Sequence, residues 1–390
     1  VAAVEKGDAG PLAEALEKKN EDERRKEDAS KGRDSGESRR SDRAELAAFA
    51  ISTQGLSALV AGCRGAGTLP VPLPEFLFEE VSFSRARAMR LRETLGSVVL
   101  TLRASGIEVV ALKGAALAFF HYPDPALRPM GDLDLLLRDP RDLPQATEAL
   151  GRSAWRRILD TPRHRVFARP DERVVRPASE DPENPIRVEI HTSFRLPVLG
   201  HVFDASAALR DEAQARDLAG TPVAIAAGSA FATHLLFHAA EDFAGNGIRG
   251  IQAHDFRLLA RSEGRLRVDV DPASHALAPL LYAADAVQRL FPLTFEESLF
   301  SSLSSRVSPT LRARAAALPA LRYTRPPRGW SRTLLSLLDG PLPAARFLRR
   351  VLFPTPGEMK ANVAPEASGL ALAGAYVRVL ARRVASVFRG

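Results

Sequence analysis

The chain has 390 residues, 45% of them hydrophobic, with 54 Lys/Arg against 47 Asp/Glu and a net charge of +7. That length and apolar fraction suit a globular protein with a sizeable core and exclude a fibrous chain. A single cysteine excludes an internal disulfide framework or a cysteine-built zinc site, and no apolar run reaches the length of a transmembrane helix.

The charge is unevenly distributed. Residues 1–43 carry 11 basic against 12 acidic side chains, residues 44–305 carry 28 against 32, and residues 306–390 carry 15 against 3. Basicity is therefore a C-terminal property, and the high overall charge gives no strong nucleic-acid signal for the rest of the chain. The opening residues lack the basic-then-apolar pattern of a secretory signal, and the expected location is the cytoplasm.

Residues 1–43 hold too few large apolar side chains to offset the entropy of ordering, which predicts a disordered charged tail with at most a short helix near Leu12–Lys19. From residue 44 to 105 apolar residues recur near a 3.6 spacing, as in Leu91, Leu95, Val98, Val99 and Leu102. This predicts a helical N-terminal layer, broken by the proline-rich Thr68–Phe76.

A region of mixed strands and helices is expected over 106–222. Gly106–Leu112 reads as a buried strand, Ala115–His121 as a helix, Tyr122–Met130 as a proline-rich loop, and Leu133–Leu137 as an interior strand. A helix over Asp142–Gly151 follows, then strands at Trp155–Leu159, His164–Ala168 and Ile186–His191. After Pro222 the chain is expected to be predominantly helical, as a domain over 223–305 and a basic region over 306–390 with proline-rich joints at Arg325–Arg328, Pro341–Pro343 and Pro354–Pro356.

Chemistry concentrates in the strands. Asp132 and Asp134 stand two apart, so their carboxylates project from one face, an unfavourable arrangement unless a cation sits between them. In Ile186–His191, alternation places Arg187, Glu189 and His191 on one face. Three acids on neighbouring strands are hard oxygen ligands for magnesium or manganese and for phosphoryl-type transfer. Lys113 can neutralise phosphate, and the Lys113–Gly114 turn offers backbone N–H groups at a helix start. Each feature also has a plainer reading: Lys113 as a strand-end lysine, Arg128 as an ion-pair partner of Asp124 or a palm carboxylate, His191 as a hydrogen-bonded sheet residue. His234 and His238 have the spacing of a zinc pair without the glutamate of the H-E-x-x-H motif, which favours packing.

The run LKGAALAFFHYPDPALRPMGDLDLLL, followed by IRVEIH and HLLFHAAED, resembles the uncharacterised nucleotidyltransferase branch of the DNA polymerase β-like superfamily. The resemblance spans roughly residues 44–355 and is specific around Leu112–Leu137. It implies an α+β fold, with a small mixed palm sheet flanked by helices, and metal-dependent transfer of a nucleoside monophosphate from a nucleoside triphosphate to an acceptor. It implies that Asp132, Asp134 and Glu189 are the catalytic and metal-binding acids, with Mg2+ or Mn2+, and that Lys113, Gly114 and Arg128 bind phosphate. Glu189 stands where aspartate is usual. That departure leaves an alternative, a catalytically degenerate palm that binds nucleotide or acts as a scaffold. Residues 343–353 interleave arginines with Phe347, Leu348, Val351 and Leu352, a pattern that suits an anionic membrane surface, a nucleic acid or simple packing.

Overall fold

The computed structural model describes residues 51, 54–62, 76–161, 164–170, 183–198, 201–245, 247–270, 277–292, 294–321, 330–338, 341–352, 359 and 369–388. The tail over 1–43, most of the Thr68–Phe76 break and the joints at Arg325–Arg328 and Pro354–Pro356 lie outside these residues.

Two helices open the described chain, α1 (Ser57–Gly62) and the long α2 (Phe76–Arg103). Leu91, Leu95, Val98, Val99 and Leu102 of α2 are all buried, as their spacing predicts. Gly106 ends this helix at φ +74°, a left-handed turn that glycine adopts without strain, while Ile107 N–H donates back to Leu102 O at 3.0 Å.

The chain then builds β1 (Val109–Ala111), α3 (Lys113–Phe120), β2 (Asp132–Leu137), α4 (Leu143–Arg152), β3 (Arg156–Asp160), β4 (His164–Ala168) and β5 (Arg187–His191). Next come the hairpin β6 (Arg195–Val198) and β7 (His201–Asp204), α5 (Ser206–Asp211), and a second hairpin, β8 (Gln214–Leu218) and β9 (Thr221–Ile225). One seven-stranded mixed sheet has the order β3-β4-β5-β2-β1-β9-β8, and β6-β7 pair apart from it. β2 is central, parallel to β5 and antiparallel to β1, and Leu133 to Leu137 are buried. The fold is α+β. The sheet is larger than the expected small palm, and strand β9 carries on to Ile225 before the helices begin.

The helices that follow are α6 (Gly228–Gly245), α7 (Gly250–Glu263), α8 (Leu277–Leu290), α9 (Glu297–Arg306), α10 (Pro309–Ala316), α11 (Trp330–Leu335), α12 (Pro341–Leu352) and α13 (Gly369–Phe388). Pro341–Pro343 is the first turn of α12 rather than a joint, because proline's fixed φ and missing N–H suit that position. One continuous apolar core runs from Ile51 to Phe347, and Phe347 anchors α12 to it while Arg346 and Arg349 stay exposed. Among the described residues no helix is long and apolar enough to cross a membrane.

Candidate active site

Strand pairing brings the acids together. Parallel register sets Asp134 level with Glu189 and Asp132 level with Arg187, and antiparallel pairing sets His164 of β4 level with His191 of β5. Residues level with one another share a sheet face, so Asp132, Asp134, Glu189, His191 and His164 line one surface.

Asp134 sits at the centre and is buried. Its Oδ1 is 2.9 Å from Lys113 Nζ and 2.9 Å from His191 Nε2, while His191 Nε2 lies 3.5 Å from Glu189 Oε2. His164 Nε2 is 3.8 Å from the same Oε2. Asp134, Glu189 and His191 each offer one ligand atom, all within 4.8 Å of one another. Asp132 stands outside that trio, half-buried and two residues earlier on the same face.

Lys113 reaches Asp134 from a left-handed backbone, φ +45°, at the turn from β1 into α3. Such a φ is strained for a side-chain-bearing residue and persists only where surrounding packing fixes it. Lys113 Nζ also lies 5.0 Å from the Phe194 ring centroid. The Leu112 side chain does not cap α3.

The charges are tightly coupled. Burial alone would raise the Asp134 carboxyl, but the Lys113 ammonium and the His191 hydrogen bond outweigh it and hold the group well below the usual range. Burial alone would lower Lys113, yet the surrounding carboxylates, led by Asp134, keep it raised. Asp132 is pushed up to about 6 by burial and by repulsion from Asp134 and Glu189. Burial opposes ionisation of His191 as well, but its hydrogen bonds to Asp134 and Glu189 leave it raised. Glu189 is lowered: burial works against it, and the His191 hydrogen bond prevails.

A cleft of about 630 Å³ opens over Asp132 and Asp134, lined also by Lys113, Gly114, Arg128, Arg169, Arg187, Arg249 and Asp255. Five cationic side chains against three acids give it the charge of a phosphate-binding surface. Gly114 has no room for a side chain: a Cβ there would lie 2.9 Å from Met130 Sδ.

Arg128 does not pair with Asp124 or with a palm acid. Asp124 turns onto its own loop, accepting from Ala126 N at 2.9 Å and pairing with Arg85 at 2.9 Å. Arg128 instead makes a bidentate pair with Asp255 of α7, Nε to Oδ1 and Nη2 to Oδ2 both at 2.9 Å. Asp255 also accepts from the Tyr122 hydroxyl at 2.7 Å. The fork therefore holds Arg128 at the rim of the cleft in a fixed plane.

Arg87 of α2 is fully buried and donates to the main-chain carbonyls of Asn184, Gly131 (2.5 Å) and Pro185 (3.3 Å). Gly131 precedes Asp132, and Asn184–Pro185 lead into β5, so one guanidinium ties together the entries to both acid-bearing strands. His234 is buried with its ring 4.2 Å from Phe194, and His238 pairs with Asp242 at 3.3 Å. The two histidines fall outside the ligand trio.

A family model described as uncharacterised nucleotidyltransferase matches residues 40–290, well over half of the chain. The chain belongs to the uncharacterised nucleotidyltransferase family. The matched span runs through α8 and contains Lys113, Arg128, Asp132, Asp134, Glu189, His191 and Asp255. Neither the curated proteins nor the solved structures contain a match to it.

Proposed function

We propose that the chain is an enzyme transferring a nucleoside monophosphate from a nucleoside triphosphate to an acceptor oxygen, with Mg2+ or Mn2+. The observation that carries this reading is the Asp134–Glu189–His191 trio, whose Asp134 lines a basic cleft together with Asp132. The donors fit a divalent cation. Two carboxylates and an imidazole offer hard oxygens with one nitrogen, a set manganese accepts readily, and the repulsion from Asp134 and Glu189 that adds to burial in pushing Asp132 up to about 6 is relieved by a cation. Asp134, Glu189 and His191 would hold it, with Asp132 contributing from the cleft side. When bound, such an ion neutralises phosphate charge and polarises the reacting phosphoryl group.

The chain's own groups do the rest. Lys113 and Arg128 bind the triphosphate, and the Gly114 turn lets the α3 backbone approach it. Arg128 keeps its aim because Asp255 fixes the guanidinium plane. Glu189 takes the proton of the attacking oxygen. The test is incubation with labelled nucleoside triphosphates, Mn2+ and acceptors. Asp134→Asn is expected to abolish transfer, and transfer at the wild-type rate would refute the assignment.

A second reading, a palm that binds nucleotide without turnover, draws on one observation: Lys113 and His191 already satisfy Asp134 internally. Calorimetry with Mn2+ and a non-hydrolysable triphosphate, set beside the transfer assay, separates the two. Binding without transfer to any acceptor would favour the second.

A further inference from the structure

The acids stand between two openings. Asp132 and Asp134 line the 630 Å³ cleft, whereas Glu189 and His191 line a smaller cavity of about 170 Å³, and Lys113 borders both. The ligand atoms of Asp134, Glu189 and His191 lie within 4.8 Å of one another, so groups entering from the two openings would meet at this cluster. In an in-line displacement the entering and leaving oxygens stand on opposite sides of the phosphorus, and two openings that share one cluster can admit the two groups separately.

The openings differ in charge and size. The larger is rich in arginine. In the smaller, the two cations Lys113 and Arg195 are balanced by the two acids Glu189 and Glu241, beside His164 and His191. No surplus cation remains there to hold a phosphate or carboxylate. Its volume is below the 300 Å³ or so of sites that enclose a whole small molecule, so it takes one arm of an acceptor while the remainder stays outside. The Phe194 ring and the mutually tilted rings of His164 and His191, with centroids 5.0 Å apart, supply π-faces that suit an apolar or cationic arm.

We propose that the smaller cavity is the acceptor subsite, and that it takes a hydroxyl on an uncharged or amine-bearing arm with no phosphate or carboxylate beside it. This rests on the nucleotidyltransferase reading above. The acceptor hydroxyl oxygen forms a bond to the α-phosphorus as the bond from that phosphorus to the bridging oxygen breaks. The hydroxyl proton passes to the Glu189 carboxylate, and pyrophosphate leaves through the larger cleft. Free amino sugars and seryl side chains carry the same chemistry.

The experiment uses the full chain with Mn2+ and α-labelled nucleoside triphosphates. Glucosamine and an amidated Gly-Ser-Gly peptide are the two acceptor arms, and glucose 6-phosphate is the anionic counterpart. Label is expected on glucosamine or the peptide, which tells the two sources apart, and not on glucose 6-phosphate. Glu241→Lys is expected to lower kcat/KM for the accepted probe about tenfold while nucleotide affinity stays within about twofold, with Glu241→Gln intermediate. Preference for glucose 6-phosphate, no transfer to any probe despite nucleotide binding, or acceptor kinetics unmoved in both Glu241 variants would overturn the assignment. Failure of the wild type to bind Mn2+ and nucleotide would overturn the parent reading along with it.

Discussion

Arg87→Met should damage the site without touching it. The substitution keeps an unbranched apolar stem on α2 and removes the guanidinium that donates to Gly131 O, Asn184 O and Pro185 O. Each hydrogen bond to a charged donor contributes about 1.5–3 kcal/mol, though such values do not add in full, and the abandoned carbonyls sit in a buried region. A net loss of about 3–5 kcal/mol follows, comparable to removing one partner of a buried ion pair. The functional effect is separable. With the clamp gone, the entries to β2 and β5 shift relative to one another, and outer partners that orient ligands typically contribute about 10–100-fold in metal affinity. Urea unfolding gives the stability loss, and Mn2+ calorimetry at a temperature where both proteins are fully folded gives the affinity. Arg87→Lys, which keeps the charge but not the fork, should fall between. If Arg87→Met is as stable as wild type, or is less stable yet binds Mn2+ equally well when folded, the clamp is not what sets the acids.

Asp255→Asn leaves the Arg128 guanidinium buried without its charge partner, and should cost about 3 kcal/mol in urea unfolding while weakening triphosphate binding measured by calorimetry. Gly114→Ala drives a Cβ to 2.9 Å from Met130 Sδ, and should cost about 1–3 kcal/mol. Combining it with Met130→Ala should cost less than the sum of the two changes, as a double-mutant cycle would show. His254 provides a pH test away from the acids. Burial, then nearby arginine charge, lowers it to about 3, so the native ring stays neutral while the unfolded chain takes up a proton below about 6.5. The unfolded state therefore binds more protons between pH 6.5 and 3, and stability falls as pH falls, by up to about 1.4 kcal/mol per unit. Denaturant titrations of wild type and His254→Gln across pH 4–7 should show a shallower slope in the variant, and equal slopes would contradict the assignment.

The acid-bearing strands were legible because their signals are local. DLDLLL and RVEIH carry period-two alternation, and parallel pairing then sets Asp134 level with Glu189. The β8–β9 hairpin was not legible. Gln214–Leu218 is exposed along nearly its whole length, so it shows no buried alternation, and Pro222 reads as a break although β9 accommodates it opposite Asp217 at the hairpin edge. The β6–β7 hairpin is too short to establish a period. Arg128's partner was missed because Asp255 lies 127 positions away and pairs through tertiary contact.

Phase along a helix would have exposed both hidden residues. Arg87 precedes Leu91, Leu95, Val98 and Leu102 at the steps of one apolar stripe, and Asp255 lies between Ile251 and Leu259 in the same way. A charge that keeps step with an apolar stripe must be buried, and a buried charge needs a specific partner. Both partners are at the site: the entries to the acid-bearing strands for Arg87 and the cleft-lining Arg128 for Asp255. Helices α2 and α7 are thus part of the site's construction. That makes the glutamate at 189 a smaller departure than its extra methylene suggests, because the strand carrying it is held at its entry by Arg87, and the carboxylate is flanked by His191 at 3.5 Å and His164 at 3.8 Å. With two imidazoles beside it, the longer side chain has less freedom than an unflanked glutamate, which supports the proton-acceptor role proposed for it.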